Sequence, residues 1–256
     1  MSRTRRSKLG QHTLLDDAIL DRIVEYGEVA RKDRVLEIGA GTGNLTARLI
    51  ERSDTVYAIE IDPELSRMIK ARCPGAFIIN ANALKIELPE FDKVISNLPY
   101  SISSNITLKL LRSEFKLGIL IYQSEFIQRM RAKPGEKRYG RIAVSVQAFS
   151  DIDVLEKVPK SAFYPVPAVH SAIIRLTPHN KYNIKDKALF LDFVRWLFSN
   201  RRKHVKKTLR MAGIDPVGTG LEKLLDMRPD ELEVPQILEI YEKVIYGADC
   251  KFIRIR

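Results

Sequence analysis

"RVLEIGAGTGNLTARLIER", residues 34–52, sets a β-rich run against a glycine turn and then a helix-compatible stretch. Residues 34–38 read as a strand, Gly39, Gly41 and Gly43 interrupt it, and residues 44–52 follow as a helix. The same order recurs immediately: TVYAIEI at 55–61 is a second strand, and Asp62-Pro63 opens the helix PELSRMIKAR. Proline suits that first turn because its missing N–H would have had no helical partner. FIIN at 77–80, KVISN at 93–97 and LGILIYQ at 117–123 are three more short apolar strands, bounded by Pro, Gly or charged residues. Parallel neighbours need a crossover, so this alternation predicts an α/β domain: a mostly parallel sheet with helices on both faces. Ligands of such sheets bind at the carboxyl ends of the strands.

The 256 residues, 45% hydrophobic and 29% charged, are those of an ordinary globular protein with a sizeable core. Beyond Leu176 the pattern changes. TPHNKYN at 177–183 is a polar, turn-prone linker, and KDKALFLDFVRWLFSN and RRKHVKKTLRMAG after it are helical. We therefore expect one domain over 1–178 and a small C-terminal helical domain over 179–256, with Phe190, Phe193, Trp196 and Phe198 packing the latter. Cys73 and Cys250 have no metal spacing around them and the four histidines form no ligand pair, so no metal is expected. No apolar run approaches the roughly 20 residues of a membrane span. No apolar leader core follows the basic residues 1–8, and a cytoplasmic location is expected.

Gly39, Gly41 and Gly43 give G-x-G-x-G, which differs from the G-x-G-x-x-G of pyrophosphate sites. Glycine permits both a tight turn and close approach of a ligand to the backbone. Glu37 adds negative charge beside this loop, which argues against pyrophosphate and suits a cofactor with a positive amino or sulfonium group. Glu60, at the end of the second strand, is placed to accept both hydroxyls of a ribose. Asn82, in the turn after the third strand, is a hydrogen-bonding candidate for an adenine or simply a turn asparagine. Together these features describe a nucleoside cofactor without phosphates, and S-adenosylmethionine fits.

"VISNLPYSIS", 94–103, then ends a strand with an amide, a rigid imino acid and a phenol. An exocyclic amine on a base is a poor nucleophile because its lone pair is delocalised into the ring. The Asn97 side-chain oxygen and a backbone carbonyl near Leu98 supply two acceptors for its hydrogens, with Pro99 fixing the backbone direction. They would turn the lone pair toward a methyl group and stabilise positive charge developing on nitrogen. Tyr100 offers a face for stacking the base.

The motifs EIGAGTG, AIEID, NAL and NLPY, in that order, resemble the S-adenosylmethionine-dependent adenine N6-methyltransferases. KLGQHTLLD at 8–16 and FYPVPAVHSAIIRL at 163–176 narrow the resemblance to the rRNA adenine dimethyltransferases, over nearly the whole chain. The resemblance implies a Rossmann-like class I methyltransferase domain. It also implies that Gln11, His12 and Leu14 close over the cofactor, Gly39 and Gly41 approach its methionine part, Glu60 takes the ribose and Asn82 meets the adenine. Asn97 would serve both cofactor and target, with Leu98, Pro99 and Tyr100 completing the catalytic tetrad. Phe163 would be the second stacking ring opposite Tyr100, since a base must leave its stack to react. Thr13 and Asn82 depart from the family's frequent Phe and Asp.

The formal net charge of +11 makes nucleic acid the leading partner class. Basic residues cluster at Arg3, Arg5, Arg6 and Lys8; at Arg129, Arg131, Lys133, Lys137, Arg138 and Arg141; and at Arg201, Arg202, Lys203, Lys206, Lys207 and Arg210. The first cluster reads as an arm that orders on RNA or as a solvated tail. The middle one, in KPGEKRYGR, reads as a flexible phosphate-binding loop near the active-site mouth, and the third as phosphate contacts that position RNA without reading sequence. A two-domain basic cleft suits a folded rRNA hairpin. The resemblance makes the expected partners small-subunit rRNA and the immature small ribosomal subunit, with two adjacent adenines near the 3′ end dimethylated. Rival readings are a non-catalytic ribosome-assembly factor, a large-subunit rRNA adenine methyltransferase and a DNA methyltransferase, with a nicotinamide dehydrogenase disfavoured by the glycine spacing.

Overall fold

The computed structural model describes residues 12–214 and 220–246. Among the described residues the chain divides by contacts into two compact units, one formed by 12–127 with 150–178 and the other by 128–149 with 179–214 and 220–246. The first unit ends at residue 178. Residues 128–149, expected within it, cluster instead with the helices that follow 178.

The first unit is built on a seven-stranded sheet whose strands lie, from edge to edge, in the order Phe77–Asn80, Thr55–Glu60, Arg34–Ile38, Lys93–Asn97, Leu117–Gln123, Ser171–Pro178 and Ser150–Val158. Five strands are parallel: β2 (Arg34–Ile38), β3 (Thr55–Glu60), β4 (Phe77–Asn80), β5 (Lys93–Asn97) and β6 (Leu117–Gln123). All five lie where the apolar runs put them, β3 ending one residue early at Glu60. Apolar strands buried on both faces need helical cover. It is supplied by α1 (Asp17–Tyr26), α2 (Asn44–Ile50), α3 (Pro63–Arg72) and α4 (Ser103–Leu110). The Asp16 carboxylate caps α1 by accepting from the Ile19 amide (3.1 Å). Asp62 does the same for Glu64 and Leu65 at α3, whose first residue is Pro63. Ile23, Val35, Leu49 and Ile95 are fully or almost fully buried between α1, α2 and the sheet.

Two antiparallel strands extend the sheet beyond β6: β9 (Ser171–Pro178) pairs with β6, and β7 (Ser150–Val158) pairs with β9 at the edge. A separate two-stranded ribbon joins β1 (Thr13–Leu14) to β8 (Phe163–Tyr164). None of these four was assigned from the sequence. β7 is half exposed and its alternation is broken by an irregularity between Val154 and Glu156.

The second unit is helical: α6 (Arg141–Phe149), α7 (Lys187–Ser199), α8 (Val205–Met211), the single turn α9 (Glu222–Leu225) and α10 (Val234–Tyr246). A further helix, α5 (Ser124–Met130), leads into it from β6. Phe190 and Phe193 of α7 are buried against Tyr241 of α10, with ring centroids 5.2 and 5.5 Å away. Of the aromatic stripe, Phe190 and Phe193 are core, while Trp196 and Phe198 are half-buried. Among the described residues no helix is long and apolar enough to cross a membrane, and no group of His, Cys, Asp or Glu is arranged to hold a metal ion.

Candidate active site

Gly39, Gly41 and Gly43 all adopt positive φ (76°, 60° and 79°), so the turn from β2 to α2 requires residues without a Cβ. A Cβ on Gly39 would stand 2.9 Å from Pro99 Cδ, so the glycine turn packs directly on the tetrapeptide 97–100. A Cβ on Gly41 would meet only the Gly39 carbonyl oxygen, at 3.8 Å, an ordinary van der Waals contact. The Gly41 amide donates to Glu60 Oε2 (2.9 Å), while Glu60 Oε1 accepts from the Asp62 amide (2.9 Å). The end of β3 therefore holds the glycine loop as well as offering a carboxylate, whose remaining lone pairs can still accept.

Around this turn lies a cleft in two halves that share Gly39 and Pro99. One half, about 680 Å³ with its open mouth, is the more polar of the two, with His12, Glu37, Asn44, Asn97 and Tyr100 on its walls among apolar residues such as Leu14, Leu45 and Leu65. The other, about 520 Å³, is mostly apolar, with Ile38, Ile59 and Ile102 beside Glu60 and Asn82. Asn82 Oδ1 accepts from the Leu84 amide (2.9 Å), so the asparagine does act as a turn residue while lining the cleft.

Glu37 is 3% exposed and accepts a hydrogen bond from Thr46 Oγ1 (2.6 Å). Burial raises its carboxyl to about 8, and the nearby Glu60 charge adds to that. The group is therefore neutral at pH 7 when no cation is beside it, which corrects the expectation of a standing negative charge next to the loop.

Two side-chain amides hold residues 12–14 over the polar half. Asn97 Nδ2 donates to the His12 carbonyl (2.9 Å) and Asn44 Nδ2 to the Leu14 carbonyl (3.2 Å). The His12 ring also meets the Pro165 carbonyl through Nδ1 (2.6 Å). Because the Asn97 nitrogen is spent on His12, its oxygen is the atom presented as an acceptor. Leu98 is buried, and the Pro99 carbonyl accepts from Ile102 N (3.1 Å). Tyr100 is half-buried, with its ring 5.2 Å from that of His12 and its hydroxyl 2.6 Å from Ser171 Oγ.

Phe163, expected opposite Tyr100, is buried and is not among the side chains that line the two halves of the cleft. The β1–β8 register pairs Leu14 with Phe163 and turns both inward, leaving Phe163 2% exposed in the core with Ile23 and Ile173. Its neighbour Tyr164, 52% exposed, shares a ribbon face with Thr13 of the cleft wall. Gln11 and the basic residues Arg3, Arg5, Arg6 and Lys8 lie outside the described residues. The sequence reading missed Asn44, Thr46 and Ser171. Asn44, directly after Gly43, carried a positional signal; Ser171 lies in the FYPVPAVHSAIIRL stretch that carries the resemblance, but no role was read for it.

In the second unit the two remaining basic clusters come together. Arg201 donates to Asp230 (3.0 Å) and to the Lys137 carbonyl (3.2 Å), and the Gly135 amide donates to the Asp230 carbonyl (2.8 Å). The segment expected to be a flexible loop is thus tied down at several points, and Arg201 is engaged within the protein. Arg131, Lys133, Lys137, Arg138 and Arg202 are exposed, with Lys203 and Lys206 half-buried. Arg138 donates to Gln128, and Lys203 meets Asn200 and Met211. Lys206 lines an open groove with Lys207 and Arg210.

The family description "Ribosomal RNA adenine dimethylase" matches residues 2–245. The chain is 46% identical over 247 residues to the "Probable ribosomal RNA small subunit methyltransferase A" of Methanosarcina barkeri, covering 92% of this chain and 86% of that one. It is 50% identical over 203 residues to the protein of the same name in Methanosarcina acetivorans, covering 78% and 76%. Among solved structures, a dimethyladenosine transferase from Plasmodium falciparum superposes with a TM-score of 0.75 at 28% identity, covering 90% of this chain and 96% of that chain. The 23S rRNA methyltransferase ErmE superposes with a TM-score of 0.61 at 26% identity, covering 90% and 98%. With a sheet whose glycine turn, acid and NLPY tetrapeptide meet at one cleft, the chain belongs to the ribosomal RNA adenine dimethylase family.

Proposed function

We propose that this protein transfers methyl groups from S-adenosylmethionine to N6 of adenines in small-subunit rRNA, dimethylating two adjacent adenines of a loop near the 3′ end on the immature subunit in the cytoplasm. The observation that carries this reading is the orientation of Asn97. Its amide nitrogen is tied to the His12 carbonyl, so its oxygen is left as an acceptor in the cleft that also contains the glycine turn.

The two halves of the cleft fit the cofactor. The apolar half suits an adenine, with Asn82 at its edge; Glu60 has acceptor capacity for ribose hydroxyls; and the polar half, with Glu37 at its floor, suits an amino-acid end carrying positive charge. When bound, S-adenosylmethionine supplies an electrophilic methyl. The protein's part is to hold the target amine with Asn97 Oδ1 and the Leu98 carbonyl on its two hydrogens, so that its lone pair is directed and the charge developing on nitrogen is stabilised. Tyr100 stacks the base. No strong general base is needed, because the acidity of the amine rises as the new bond forms and the proton it loses passes to water.

Transfer of labelled methyl groups to immature small subunits, followed by mapping of the modified nucleotides, tests the reading. Incorporation at N6 of small-subunit adenines is expected. Absence of incorporation by cofactor-binding protein would favour a non-catalytic assembly factor, and incorporation only into large-subunit RNA would favour the ErmE-like alternative. Asn97→Ala should reduce transfer by about 10²–10³-fold with RNA retention nearly unchanged, because bulk affinity comes from phosphates. Equal loss of both would reassign Asn97 to folding.

A further inference from the structure

Strand β9 runs antiparallel to β6, and this direction brings its first residue to the edge where the parallel strands end. Ser171 is paired with Gln123, the last residue of β6, while Asn97, the last residue of β5, is paired with Ile121 of that same strand. The 3₁₀ turn Tyr100–Ile102 begins three residues after Asn97. Ser171 is 1% exposed, held between β6 and β7 by its pairing with Gln123 and Val158, and its hydroxyl meets that of Tyr100 at 2.6 Å.

A tyrosine ring on a short turn can swing about two side-chain torsions. Here it is fixed at both ends, by its backbone in the turn and by its hydroxyl on the sheet, with the His12 ring 5.2 Å away. The hydroxyl therefore faces the protein interior, and the ring is what Tyr100 offers to the cleft. We infer that Ser171 is a positioning residue: it sets the plane of Tyr100 before RNA arrives, so that the target adenine stacks on a pre-oriented face. This rests on the reading of Tyr100 as the stacking platform. Pre-orientation lowers the ordering cost of the reactive complex, so its loss should reach turnover as well as binding.

The test compares wild type, Ser171→Ala, Tyr100→Phe and the double variant, with cofactor affinity as the control for folding. Ser171→Ala is expected to lower kcat about tenfold and to raise the KM for RNA a few-fold, with cofactor affinity within about twofold of wild type. Because both single changes break one contact, the double variant should be no worse than Tyr100→Phe alone. An RNA hairpin with 2-aminopurine at the target position provides a readout independent of catalysis. Stacking quenches its fluorescence in wild type, and Ser171→Ala should lose most of that quench. Wild-type kinetics and quench in Ser171→Ala, or penalties that simply add in the double variant, would overturn the inference. A wild-type protein that quenches the probe yet transfers no methyl would instead sink the dimethylase reading, while the quench series would still decide the role of Ser171.

Discussion

A carboxyl group enclosed by apolar strands ionises only when a cation reaches it, and Glu37 is such a group, 3% exposed with Thr46 as its hydrogen-bond donor. Its ionisable neighbours are Glu60 and Cys73, neither of which supplies positive charge. Burial raises the carboxyl from 4.5 to about 8. The sign follows from proton linkage: the folded protein holds this proton more tightly than the unfolded chain. The associated stability is thus complete below about 4.5 and is lost as pH rises through about 8. A positively charged cofactor in the polar half opposes that rise and draws the proton off. Cofactor binding near pH 7 should therefore release about one proton, seen as a dependence of calorimetric heat on buffer ionisation enthalpy, and affinity should increase from pH 6 to 8. Glu37→Gln should bind more weakly, with a flat pH profile and no release from this site. Identical proton counts in the two proteins would contradict the assignment.

At the scale of elements, the two-residue pairing of β1 with β8 decides which aromatic residue faces inward. Opposed residues share a face and successive residues alternate, so a slip of one position would exchange Phe163 and Tyr164. In the observed register Phe163 is a core residue. Phe163→Ala should cost about 3–5 kcal/mol in a denaturant titration of the whole protein, whereas Tyr164→Ala should stay within about 0.5 kcal/mol of wild type. If both variants are equally stable, the register is different. The five parallel strands were legible because both of their faces are buried, which produces unbroken apolar runs. β1 and β8 are too short to carry any period, and β7 is an irregular edge strand exposed on one side. Their places depend on partners distant in the chain.

At the scale of the whole molecule, the surplus of positive charge divides into cations that hold the fold and cations that remain at the surface. Arg201 belongs to the first kind, through Asp230 and the Lys137 carbonyl. Exposed Arg202, Lys207 and Arg210 belong to the second. The triple variant Arg202→Ala/Lys207→Ala/Arg210→Ala should reduce the slope of log affinity for RNA against log salt by about 2–3, with little change in unfolding midpoint. Arg201→Ala should instead lower the midpoint and change the slope by less than about 1. Salt titrations of both variants on the same RNA separate these outcomes, and equal slopes for the triple variant and wild type would remove the phosphate role from this face.

By itself the sequence determined the parallel strands, the glycine turn, the place of the acid after it, and the place of the NLPY tetrapeptide at the end of a parallel strand. These are local properties, set by apolar runs, residues without a Cβ and proline, and each is complete within about ten residues. The tertiary structure alone decided that Asn97 spends its nitrogen on His12, that Glu37 loses its charge, that Phe163 turns into the core and that Ser171 reaches Tyr100. It also decided that 128–149 clusters with residues beyond 178. Hydrogen-bond partners, burial and strand register arise between residues from 9 to 153 positions apart, where no pattern along the chain records them.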